Sequence, residues 1–164
     1  MKLKHSLSMV LLALASVFRL GAREECHNVA QAIAIHPNGI VDRLCEAAAI
    51  TTRYLLVQTG TDPATQFIVN VATTRPLGVV MDEPAVAESA AIQLLGQMPG
   101  TIKMVANAAI TAGAPVYTAA AGKVSPTYGA TLFLVGRALT AAAADGDLIE
   151  VAHCFPMINA VNTL

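Results

Sequence analysis

Tryptophan is absent from this sequence of 164 residues, phenylalanine and tyrosine together number 7, and charged residues make up only 13%. The aromatic shortage, with no Lys/Arg cluster in the body of the chain, argues against a nucleic-acid surface, which needs basic patches interleaved with stacking platforms. Cysteines number three, so any disulfide scheme leaves one thiol unpaired, which suits a reducing compartment. Cys26, His27, His36, Cys45, His153 and Cys154 form no closely spaced pair of the zinc-ligand type, so no metal is expected, and nothing in the sequence calls for a cofactor. No apolar run approaches the ~20 residues that a membrane-spanning helix requires, so no membrane partner is expected.

Catalytic signatures are missing as well. There is no G-x-S-x-G, and Ser89 and Ser125 stand in turn-like stretches with no histidine near in sequence; a triad built from His27, His36 or His153 and a distant serine has nothing else to recommend it. Gly122-Lys123 has Tyr117 where a phosphate-binding loop needs glycine. Asp82, Glu83, Glu88, Asp145 and Asp147 lie near turns, where carboxylates more often accept backbone N–H groups than transfer protons. The chain is therefore expected not to be an enzyme.

What the sequence has in quantity is apolar surface, 55% of its residues, with too few charges to cover it. Such a composition suits a protein whose exterior is covered by other subunits. Its formal charge of −1 is unevenly placed. Residues 1–23 carry Lys2, Lys4, Arg19 and Arg23 and no acid, while the remainder, with 6 basic and 11 acidic residues, is −5.

The amino-terminal segment satisfies a secretory signal pattern, with Lys2 and Lys4, an apolar stretch from Leu7, and Ala13-Leu14-Ala15 before Ser16. It is also amphipathic. At about 100° per residue Leu3, Leu7, Val10, Leu11, Leu14, Val17 and Phe18 share one arc, opposite Lys4, His5, Ser8, Ser16 and Arg19. That stripe runs through the cleavage site, which favours an uncleaved helical arm over a removed signal. Seven apolar side chains at about 1.5 kcal/mol each supply about 10 kcal/mol before the cost of ordering, so Leu7, Leu11, Leu14 and Phe18 are expected to anchor the arm in an apolar groove of a neighbouring subunit, with Arg19 a further expected contact. The alternative is an exported β-domain of the envelope or cell surface, beginning near Ser16.

Residues 24–49 read as a connecting strap, with a turn at His36-Pro37-Asn38-Gly39 and a helical turn or loop from Val41 to Ala49. From Ile50 the grammar is β. Tyr54–Val57, Gln66–Val71, Ile102–Ala106, Pro115–Thr118 and Leu132–Val135 are short, β-branched or aromatic, and punctuated by Gly, Pro, Asp and Thr. The spacing predicts a mainly β fold, a small antiparallel β-sandwich or barrel over residues 50–164, preceded by the amphipathic helical arm over 1–23. The clearest pattern occurs twice. Leu77-Gly78-Val79-Val80 precedes Ile92-Gln93-Leu94-Leu95, and Val135-Gly136-Arg137-Ala138 precedes Leu148-Ile149-Glu150-Val151; each reads as a hairpin with a small-residue connection, and the Ala119–Gly122 and Ala141–Ala144 runs read as turns.

The series Pro76-Leu77-Gly78-Val79-Val80, then Ala112-Gly113-Ala114-Pro115-Val116-Tyr117 leading to Ala121-Gly122-Lys123-Val124, then Val135-Gly136-Arg137-Ala138-Leu139 with Gly146-Asp147-Leu148-Ile149-Glu150-Val151, resembles the capsid decoration, or cement, proteins of tailed bacteriophages. The resemblance covers roughly residues 50–155, and residues 1–49 depart from the compact members. It implies a β-rich, non-enzymatic protein made in the host cytoplasm and carried on the virion capsid surface. There it would bind the major capsid protein from outside, often as a homotrimer, and strengthen the shell.

Overall fold

The structure, a computed structural model, describes residues 39–97, 100–152, 154 and 156–158. They belong to a unit of residues 37–164. The expected helical arm, with Leu7, Leu11, Leu14, Phe18 and Arg19, lies outside the described residues.

Eleven strands and one short 3₁₀ turn make up the described body: β1 (Ile40–Cys45), β2 (Leu56–Thr59), β3 (Gln66–Val69), β4 (Gly78–Val80), β5 (Ser89–Leu94), β6 (Ile102–Val105), β7 (Pro115–Thr118), β8 (Val124–Ser125), β9 (Phe133–Ala138), β10 (Leu148–Ala152) and β11 (Met157–Ile158), with the 3₁₀ turn at Ala120–Gly122 between β7 and β8. The mainly β reading stands, in barrel form. The first five strands close a barrel in the order β1-β3-β2-β4-β5, antiparallel except where β1 runs parallel to β3. Residues 41–49, expected as a helical turn or loop, contain most of β1, which pairs with β5 from Ile40 opposite Gln93 to Leu44 opposite Ser89.

The next five strands repeat that topology. Their order is β6-β10-β9-β7-β8, so β6 stands for β1, β10 for β5, β9 for β4, β7 for β2 and β8 for β3, each pair with the same sense. The closing pair has a counterpart too: Cys45 meets Phe67 in parallel in the barrel, and an isolated parallel bridge joins Ala106 to Val124 in the second sheet. β11 adds to β9 outside this scheme.

Two glycines show why the duplicated pattern is legible in sequence. A Cβ on Gly78 would come within 2.5 Å of the Gln93 carbonyl oxygen and 2.6 Å of Ile92 Cγ2; one on Gly136 would meet the Ala152 carbonyl oxygen and Val151 Cγ1. Both glycines thus let two backbones approach where no side chain fits. These contacts equate Ile92 with Val151, which makes the second connection one residue longer than the first.

Each five-strand unit has its own core. Val41, Cys45, Val57, Phe67, Val80 and Ile92 fill the first, and Ile102, Met104, Val116, Val124, Val135, Ile149 and Val151 fill the second. Fully burying side chains of this size contributes about 1.5–3 kcal/mol each. The clusters trade members at one seam. Leu56 and Val79 sit opposite each other on β2 and β4 with side chains turned out of the barrel, and they join the second cluster. Val105, turned outward on β6, joins the first. Lys103, on the same outward face, lies 5.9 Å from the centre of the Tyr54 ring. The 3₁₀ turn completes the seam: Gly122 donates its N–H to the Asn70 carbonyl at 3.1 Å, and a Cβ there would come within 2.5 Å of the Leu56 carbonyl oxygen.

Candidate functional site

Of the carboxylates that sequence places near turns, Asp82, Glu88 and Asp147 are occupied by the backbone. Asp147 Oδ2 accepts the N–H groups of Ala143 at 2.7 Å and Ala144 at 2.9 Å, and Gly146 beside it has a φ of 90°. In the other hairpin, Glu88 Oε2 accepts the Ala85 N–H at 2.8 Å and Asp82 Oδ2 accepts the Ala91 N–H at 3.1 Å. Asp145 pairs with Lys123 Nζ at 2.7 Å, and Arg53 with Glu83 at 3.5 Å. A general acid needs a carboxyl pushed upward. Here the resolved shifts run the other way: hydrogen bonding from Thr61 lowers Glu46, and the Thr65 hydroxyl followed by the Ala64 N–H lowers Asp62.

The thiols are packing groups. Cys45 donates to the Ala48 carbonyl at 3.1 Å and Cys154 to the Val151 carbonyl at 3.2 Å. Burial pushes Cys154 up to about 11 and also raises Cys45. Neither shows the depressed pKa of a reactive thiolate. Cys26, His27, His36 and His153 lie outside the described residues. Among the described residues, no group of three His, Cys, Asp or Glu side chains is placed to hold a metal, and no helix is long and apolar enough to cross a membrane. A cleft of about 340 Å³ is walled by Pro76, Leu77, Leu94 and Leu95 of the first unit, with Pro156 from the segment after β10. Exposed Thr59, Arg75 and Gln97 complete its lining, and Arg75 is the single ionisable side chain there among the described residues.

What the described body offers is surface for contact. Ile40 and Leu44 are each 40% exposed on the outer face of β1, with exposed Asp42 between them. Leu148 on β10 and Leu139 just after β9 are half exposed. The contact residues expected from sequence all lie in the arm, and the exposed β1 face is not among them, because residues 41–49 read as a helical turn or loop. The available signal was the alternation of Val41, Arg43 and Cys45 with Ile40, Asp42 and Leu44.

The family model described as phage cement protein matches residues 35–153, a range that opens just before β1 and closes just after β10. Among solved structures, the chain is similar to the head fiber gp8.5 N base of bacteriophage phi29. Identity is 17%, coverage is 70% of this chain and 94% of that one, and the TM-score is 0.54, a likeness of fold. No curated protein sequence matches.

Proposed function

Because the chain belongs to the phage cement protein family, and so is a structural protein of the virion capsid, we propose that it binds the outside of an assembled major capsid shell as a homotrimer and strengthens that shell, acting by binding alone. The observation that carries this reading is the extent of the family match, which takes in both five-strand units. The hydrogen-bonded turn carboxylates support it, since they serve as scaffold, and so do the apolar residues left open on β1 and β10. In this reading Leu7, Leu11, Leu14 and Phe18 anchor the arm in an apolar groove of a neighbouring subunit and Arg19 borders it. Contacts spread in this way over several subunits gain from effective concentration.

The test uses purified shells. The full chain should sediment with them and raise their melting temperature. Deleting residues 2–20 should reduce co-sedimentation at least tenfold while the β circular dichroism of the body is kept; undiminished binding would remove the arm from the mechanism. A virion-associated chain whose intact mass starts near Ser16 would do the same, and a chain of that mass that stays in the supernatant would favour the exported domain.

A further inference from the structure

The seam inside the chain uses one face of each five-strand unit, and the duplication leaves the matching face of each unit open. The second unit contributes the outer face of β6, with Lys103 and Val105; the first contributes the outer faces of β2 and β4, with Tyr54, Leu56 and Val79. Register identifies the counterparts. Val41 pairs with Ile92 as Ile102 pairs with Val151, so Asp42 and Leu44 on β1 hold the places of Lys103 and Val105. Leu56 pairs with Val79 as Pro115 pairs with Arg137, so Pro115 and Arg137 hold the places of Leu56 and Val79, and Gly113 that of Tyr54. All of these counterparts are solvent-exposed.

Their chemistry is complementary. Arg137 donates from Nη1 to the carbonyl of Gly113, the residue that holds the place of Tyr54, so its guanidinium lies beside that position. Asp42 stands where Lys103 meets that ring. A face with the geometry of the seam would therefore bring the Asp42 carboxylate onto the Arg137 guanidinium, with Leu44 over Pro115. Inside the chain the same site holds an ammonium over an aromatic ring.

The geometry points to a second copy of this chain as the occupant: the β1 face of one copy (Ile40, Asp42, Leu44) packs head to tail on the β7/β9 face of the next (Gly113, Pro115, Arg137), repeating the seam between chains. A head-to-tail contact joins two different patches, so it closes into a ring when the rotation permits. Three copies would then set six five-strand units around one axis. This deepens the trimer in the proposed function and rests on that part of it, not on capsid binding.

The experiment is sedimentation velocity of the full chain without shells, at a series of concentrations, for the wild type, Asp42→Arg, Arg137→Asp and the double variant. Both positions are exposed, and circular dichroism checks that each variant is folded. Each single reversal sets like charges against each other and should weaken association at least tenfold, and the double variant should recover most of it, because like-charge contacts are costly and restored pairs are not. Wild type that remains monomeric, singles that associate as wild type does, or a double variant no better than the singles would each overturn the assignment. Shell co-sedimentation of the same samples separates the two readings: a trimer that reverses with charge and fails to bind shells sinks capsid binding and leaves this contact standing.

Discussion

Cys154 holds in the second unit the place that Leu95 holds in the first, and it behaves as a small apolar residue whose thiol is kept neutral by burial. Its pKa is raised from the ordinary 9.0 to about 11. Below pH 9 the thiol is protonated in both folded and unfolded chains, so its contribution to stability is fully present there. Between pH 9 and 11 the unfolded chain gives up the proton first, and stability falls with rising pH. The expected loss is roughly 2–3 kcal/mol, from about 1.4 kcal/mol for each pH unit. Urea unfolding at pH 8 and pH 11 should show it, and Cys154→Val should lose less over the same interval; equal losses would remove Cys154 as the cause. Sequence alone left Cys154 as one of three thiols, because nothing in spacing reports burial. The turn role of Asp147 was readable from its place beside Gly146.

At the level of elements, the hairpin of β9 and β10 depends on Gly136. A methyl group there must displace the Ala152 carbonyl or Val151, both within the sheet, and overpacking of this kind costs typically about 1–3 kcal/mol. Gly136→Ala and Gly78→Ala should therefore each lower the midpoint of urea unfolding by a similar amount, since the two positions are equivalent; one tolerant and one intolerant position would contradict the equivalence. These glycines were legible because a backbone approach leaves a residue type that nothing else can replace. The rest of the duplication was not legible. Cys45 matches Ala106, Phe67 matches Val124 and Leu56 matches Pro115, pairs that share a location and little chemistry. β7 was read to its exact ends, Pro115 and Thr118, because Val116, Tyr117 and Thr118 favour extended backbone. β1 was missed because Asp42-Arg43 interrupts its apolar pattern and three alanines follow Glu46. One small β-sandwich or barrel was expected where there are two five-strand units, since short strands at even spacing do not report which of them close on each other.

For the described body as a whole, the shared seam couples the two units. Leu56 is fully buried, belongs to a strand of the first unit and packs with the core of the second. Leu56→Ala should cost about 2–5 kcal/mol, and because the cavity opens between the units both should respond. Urea unfolding followed by hydrogen exchange should show protection falling in β3 and β9 together; loss confined to the first unit would mean that the units are energetically independent. The arm expected over residues 1–23 lies outside the described residues, so its deletion bears on the proposed function and not on this coupling.

The short connection from β5 to β6, residues 95–101, has a kinetic meaning beyond the packing it permits. A tether of that length holds the two halves of the internal seam at a local concentration on the order of millimolar or higher, whatever the protein concentration in the cell. The internal seam closes within each newly made chain, whereas the proposed contact between chains would wait on encounter in bulk. Assembly is then ordered in time. Under the proposed contact, chains are finished two-unit blocks before they join one another.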